Sequence, residues 1–193
     1  MTIFKARICS GPFLCLIIPS LLVGQERGQQ SLDKSCREFV RTFYAWYMGN
    51  AFGVPDEAPW NLALKYRPYV FAKDLFLQLS ADSEAQSKAG SDIVGLDSDP
   101  FLNTQDRGER YAVEKVTIKD GKCWADVYGV WNGKESKTPN VRPELVRKGR
   151  RWVFVNFHYP DPSRPGWPWD LLTDLKELRE SREQDKAAEG EKR

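Results

Sequence analysis

The chain has 193 residues, 41% of them hydrophobic and 29% charged, with 14 Gly and 12 Pro, a balance that excludes a disordered, collagen-like or polytopic membrane protein. Formal charge is +2, and loss of Lys5 and Arg7 with the segment described next brings the 29 basic residues level with the 27 acidic ones. A neutral chain lacks the positive excess of a nucleic-acid binder, so no nucleic-acid partner is expected.

Lys5 and Arg7 open the chain, residues 13–23 are apolar apart from Ser20, and small Gly24 precedes polar Gln25, Glu26 and Arg27. This is the layout of a secretory signal peptide. The apolar run is interrupted by proline and falls short of the about 20 residues that span a bilayer. Cys9 follows Ile8 and Cys15 follows Leu14, so neither has the small neighbour of a lipoprotein cysteine. Residues 1–24 are therefore expected to be a signal peptide cleaved near Gly24, leaving an exported protein, periplasmic or secreted, with no transmembrane span after processing. Cys36 and Cys123 are then the two remaining cysteines, in a compartment where disulfides persist. A bond between them is the candidate, and two separate buried thiols are the alternative.

Residues 25–34 are polar and read as a flexible leader, followed by one domain over 35–183 and a charged flexible tail over 184–193. Cys36, Val40, Phe43 and Tyr47 recur at helical spacing and give the first helix its apolar face. Gly49-Asn50 stops it. A loop over 53–59 precedes a short helix over 60–66, which ends ahead of Pro68. A third helix covers 72–88, and a long irregular connection follows over 90–100. The period then changes: 110–119, 122–132, 141–148 and 151–159 are rich in Val, Tyr, Trp and Phe, and Asp120-Gly121 marks a hairpin. These predict a four-stranded antiparallel meander. A Pro-rich link over 160–169 leads to Asp170, which caps a last helix carrying Leu171, Leu175 and Leu178. Helices, then an antiparallel sheet, then a helix make an α+β fold.

Three segments carry a resemblance: 39–47 (FVRTFYAWY), 99–106 (DPFLNTQD) and 152–157 (WVFVNF). They are similar to a family of exported bacterial domains catalogued as domain of unknown function 3828, over about residues 36–180. The resemblance implies the cystatin-like cone fold of nuclear transport factor two and its relatives, in which a curved sheet wraps helices around a pocket. It implies no reaction.

Catalytic constellations are missing. His158 is the one histidine, so serine and cysteine triads have a single imidazole to draw on, and no catalytic residue is assigned. Asp97, Asp99, Asn103 and Asp106 offer oxygens for a hard cation, but without the glycine and glutamate of a calcium loop. Local bonding of Asn103 or Asp106 to backbone amides explains them better. Two cysteines and one histidine cannot complete a structural zinc tetrahedron. No metal and no cofactor is expected. Tyr44, Tyr47, Trp124, Tyr128, Trp131, Trp152 and His158 are the candidates for a pocket lining, with core packing as the alternative. Arg147, Lys148, Arg150 and Arg151, with Arg142 nearby, form a basic run that suits an anionic partner or simply blunts a sheet edge. Trp167-Pro168-Trp169 is expected to fold over the sheet edge. The leading expectation is a non-catalytic binding domain for an envelope protein or other cell-envelope component. A small-ligand pocket protein is the alternative, and an acid–base enzyme on the same fold the weaker one. Oligomeric state is left open.

Overall fold

The computed structural model describes residues 20–53, 57–161 and 163–191. The expected signal peptide lies outside them as far as residue 19. Helix α1 spans Ser20–Asn50, so the backbone of the expected leader is helical and the expected cleavage point falls within the helix. The stripe is seated as its spacing requires: Cys36, Val40, Phe43 and Tyr47 are buried, with Tyr44 beside them, while Arg41 is exposed. α1 packs on the first two strands of the sheet. Helices α2 (Pro59–Tyr66) and α3 (Lys73–Ala89) follow, separated by a 3-10 turn at Pro68–Val70 that the sequence reading lacks.

Among the described residues the antiparallel sheet has six strands, not four: β1 (Arg110–Lys119), β2 (Lys122–Trp131), β3 (Lys134–Glu135), β4 (Arg142–Lys148), β5 (Arg151–Asp161) and β6 (Arg164–Asp170). The order is β1-β2-β4-β5-β6, with β3 paired to β2. The four expected strands are β1, β2, β4 and β5, and their meander order holds. β3 exists because Asn132 and Gly133 adopt positive φ (51° and 69°), the same tight-turn chemistry as Asp120-Gly121. β6 occupies the expected Pro-rich link. Its Pro165 and Pro168 are tolerated because an edge strand leaves one side of its backbone unpaired. Trp167-Pro168-Trp169 is thus part of the edge strand rather than a flap over it. The opposite edge is protected differently. β1 shifts register between Val113 and Val116, and there Arg37 of α1 donates to the carbonyl oxygens of Val113 and Glu114. An edge so occupied is a poor template for another strand.

Strand β5 is the spine of the core. Trp152, Val153 and Phe154 are all buried, and the register against β4 skips Val155. The strand is therefore buried on both faces and bulged as well. Helix α4 (Leu171–Glu191) begins where Asp170 accepts the Thr173 amide (3.1 Å) and continues beyond residue 183 into the expected tail, as far as Glu191. It is locked to α3 by an ion pair between Arg182 Nη1 and buried Asp82 (2.6 Å). Arg182 also donates to the Val94 carbonyl (2.7 Å), and Asp82 accepts the Leu96 amide (2.9 Å). The long 90–100 connection is thereby tied to both helices. No helix among the described residues is long and apolar enough to cross a membrane.

Candidate functional site

The DPFL segment is a plug in the core. Phe101 and Leu102 are fully buried, and the Phe101 ring stacks on Phe71 at 5.3 Å and meets Phe157 at 4.9 Å. Three tyrosine hydroxyls pin the segment: Tyr159 to the Pro100 carbonyl (3.0 Å), Tyr44 to the Phe101 carbonyl (2.8 Å) and Tyr47 to the Asp99 carboxylate (2.5 Å). Burial pushes all three phenols well above their ordinary pKa. Asp99 also accepts the amides of Phe101 and Leu102, so this carboxylate, not Asn103 or Asp106, makes the local backbone bonds. Asn103 instead donates to the Asn140 carbonyl. Among the described residues no group of three His, Cys, Asp or Glu side chains is placed to hold a metal ion.

Asp99 borders a pocket of about 320 Å³, shared with Phe52, Trp60 and Arg107. Burial pushes its carboxyl up to about 6, against the lowering effect of its three hydrogen bonds. The sign of the consequence is definite. A native pKa above the ordinary 3.8 adds stability that is full at low pH and disappears as pH rises through about 6. The stability of the parent minus that of Asp99→Asn should therefore fall by about 2–3 kcal/mol between pH 4 and pH 7. Urea midpoints at the two pH values check this, and a constant difference would mean that Asp99 ionises as an exposed carboxyl does.

The other face of the sheet, turned away from α1, carries a second concavity. Alternation along β2 puts Cys123, Ala125 and Val127 toward the helix and Trp124, Asp126 and Tyr128 away from it. The register sets Thr117 and Glu144 on either side of Trp124, and His158 opposite Arg142. Arg142 donates through Nε to Asp126 (2.6 Å), and its guanidinium lies over the Trp167 ring at 4.0 Å. Glu144 receives Lys122 (2.7 Å) and His158 Nε2 (2.8 Å). Burial opposes ionisation of Glu144, but these two partners outweigh it and hold its carboxyl below the usual range. What opens to solvent is a groove of about 340 Å³ between Trp124 and Trp167, walled by Lys115, Thr117 and Lys119 on one side and by Arg142 and His158 within it. It has no acidic lining residue. Asp126 and Glu144 are matched by cations, and Asp170, opposite His158, is held by Asn156 and Thr173; the lining itself carries Lys115, Lys119 and Arg142 and is basic.

The expected pocket residues therefore separate. Tyr44, Tyr47 and Trp152 are in the packed interior, and the Trp152 indole donates to Ser35 on α1 (3.1 Å). Trp131 faces the helix side, edge-on to Tyr111 at 6.1 Å. A side chain at Gly129 would collide with its ring. Tyr128 is half-buried on the outer face but is not among the residues lining the groove. Trp124 and His158 do meet there. Arg147, Lys148, Arg150 and Arg151 are exposed around the β4–β5 turn. Pairing of Lys122 with Val146 sets this turn beside the Lys119 end of the groove. Cys36 and Cys123 are joined by a disulfide between α1 and β2, with a Cα–Cα distance of 6.8 Å. Lys115, Thr117, Lys119 and Trp167 are the groove residues that sequence reasoning missed. One signal was available for Thr117: the two-residue Asp120-Gly121 turn sets 117 opposite 124.

Fold and groove together define an α+β domain with one basic, tryptophan-bearing sheet face. No family model, curated protein or solved structure matches the chain.

Proposed function

We propose that the protein is an exported, non-catalytic domain that binds a component of the cell envelope through the outer face of its sheet. The observation that carries this reading is a contrast in how the two concavities spend their polar groups. Around Asp99 the carboxylate already accepts three hydrogen bonds from its own chain, which suits a structural plug better than a base awaiting a substrate. In the outer groove Lys115 and Lys119 are exposed and form no ion pair among the described residues. Export is supported by the arrangement of residues 1–24, and the cone-fold resemblance by the segments that carry it.

A small-ligand reading draws on the same groove, whose volume is at the lower end of the about 300–1,000 Å³ of small-molecule sites. One experiment separates recognition of a large component from the alternatives. The immobilised protein is exposed to detergent-solubilised envelope fraction from the native organism. Trp124→Ala is expected to reduce capture at least about ten-fold, the equivalent of about 1.4 kcal/mol, while Asp99→Asn leaves it unchanged. Equal capture by parent and Trp124→Ala would place recognition elsewhere.

A further inference from the structure

We infer that the outer groove takes an acidic polysaccharide, a chain of sugar rings bearing carboxylate or phosphate groups; this rests on the reading of that face as the binding surface. Two indoles in one small groove offer flat apolar faces, which suit the C–H face of a pyranose ring. One face of Trp167 is taken by Arg142 at 4.0 Å, so Trp124, half-buried on β2, is the platform. A ring lying on Trp124 brings its acidic substituent toward Lys115 and Lys119 on the neighbouring strand. Neither lysine has a carboxylate partner among the described ion pairs. The ring hydroxyls meet Thr117 Oγ1 and the Nδ1 side of His158, whose Nε2 is held by Glu144. Charge, flat apolar surface and neutral hydrogen-bonding groups thus converge within one concavity.

The extent of positive charge argues for a polymer. Lys119 adjoins the β4–β5 turn through the Lys122–Val146 pairing. Arg147 lies over the Trp152 ring on the α1 side, whereas Lys148 and Arg151, paired across that turn on the Glu144 side of β4, continue the basic surface with Arg150 at the tip. An acidic chain that fills the groove runs on along these cations, each contributing little alone and more together. Other anionic partners fit less well. A peptide finds no open strand edge: β2 is paired on both sides, Pro165 and Pro168 interrupt the free edge of β6, and Arg37 occupies carbonyls of β1. A membrane surface needs apolar residues at the contacting tips, and the two turns are Asp120-Gly121 and Gly149-Arg150.

The test is calorimetric titration of the full chain with a hexauronate, a neutral hexaglucan, polyglutamate, oligo-dT and phosphatidylglycerol vesicles. The hexauronate is expected to bind at least ten-fold more tightly than each of the others, and to weaken as salt is added. Trp124→Ala should weaken it at least ten-fold, and so should the exposed pair Lys115→Gln with Lys119→Gln, whose folding is not at stake. Lys148→Gln with Arg151→Gln should weaken the hexamer while leaving a diuronate unchanged. Comparable binding of polyglutamate, oligo-dT or vesicles would overturn the inference, as would a hexauronate affinity that Trp124→Ala and the lysine pair leave unaltered. If no uronate binds but envelope capture still depends on Trp124, the polysaccharide assignment fails and the binding face stands. If neither binds, both fall.

Discussion

Phe43→Ala is expected to lower the stability of the domain by about 3–5 kcal/mol. The side chain is 3% exposed, and its ring contacts rings from four separate parts of the chain. Phe154 of β5 is at 4.8 Å, Phe101 of the plug at 5.6 Å, Phe71 ahead of α3 at 6.0 Å, and Tyr44 and Tyr47 of its own helix at 5.4 and 5.6 Å. Truncation removes the transfer free energy of the ring and leaves a cavity. The surroundings cannot collapse to fill it, because Tyr44, Tyr47 and Phe101 are held by the hydroxyl bonds of the plug. The cost should therefore fall toward the upper part of that range. Denaturant midpoints at an unchanged m-value would report it, and Phe43→Leu, which leaves a smaller void, should cost less. Parent-like stability in the alanine variant would mean that α1 is peripheral to the core.

What a linear reading finds and what it misses follows from the range of each interaction. The stripe on α1 is legible because Cys36, Val40, Phe43 and Tyr47 repeat with the helix period. The cap at Asp170 is legible because an N-cap acts within three residues, here on Thr173. The β1–β2 register follows from a two-residue turn. β6 is hidden because proline argues against a strand unless that strand is known to lie at an edge, and edges are set by the whole sheet. The Asp82–Arg182 pair closes over a hundred positions. In sequence, each of its members looks like the exposed side of a helix. The aromatic residues show the same limit. Trp124, Trp131 and Trp152 have identical chemistry, and only strand parity and the packing of α1 send one to the groove, one to the helix-side margin and one to the interior. The DPFL segment is legible in sequence only as a locally bonded stretch after an irregular connection. Its role as a plug depends on hydroxyls from Tyr44, Tyr47 and Tyr159, far from it in the chain.

Removal of the Cys36–Cys123 bond should be the other large loss, about 4–5 kcal/mol on the chain-entropy account, since the bridge spans 87 positions. Both cysteines are fully buried, so paired substitution by alanine isolates the bond better than serine, which would bury two hydroxyls with their own desolvation cost. The parent unfolded with reductant present should match Cys36→Ala with Cys123→Ala, and both should unfold at lower urea than the oxidised parent. Coincident midpoints for oxidised and reduced protein would show that the bridge contributes nothing. The two large effects act on opposite states. Phe43 fills space in the native fold, whereas the bridge restricts the unfolded chain. Residues 36 and 43 are also about 10 Å apart along the helix axis, far enough for their costs to add. Phe43→Ala combined with loss of the bridge should then cost about 7–10 kcal/mol, within the about 5–15 kcal/mol by which a whole domain is usually stable. The triple variant is expected to be largely unfolded, as read by loss of near-ultraviolet circular dichroism, whereas Phe43→Ala with the bridge intact remains folded. A triple variant as ordered as the single one would mean that α1 is held to the sheet chiefly by contacts other than these two.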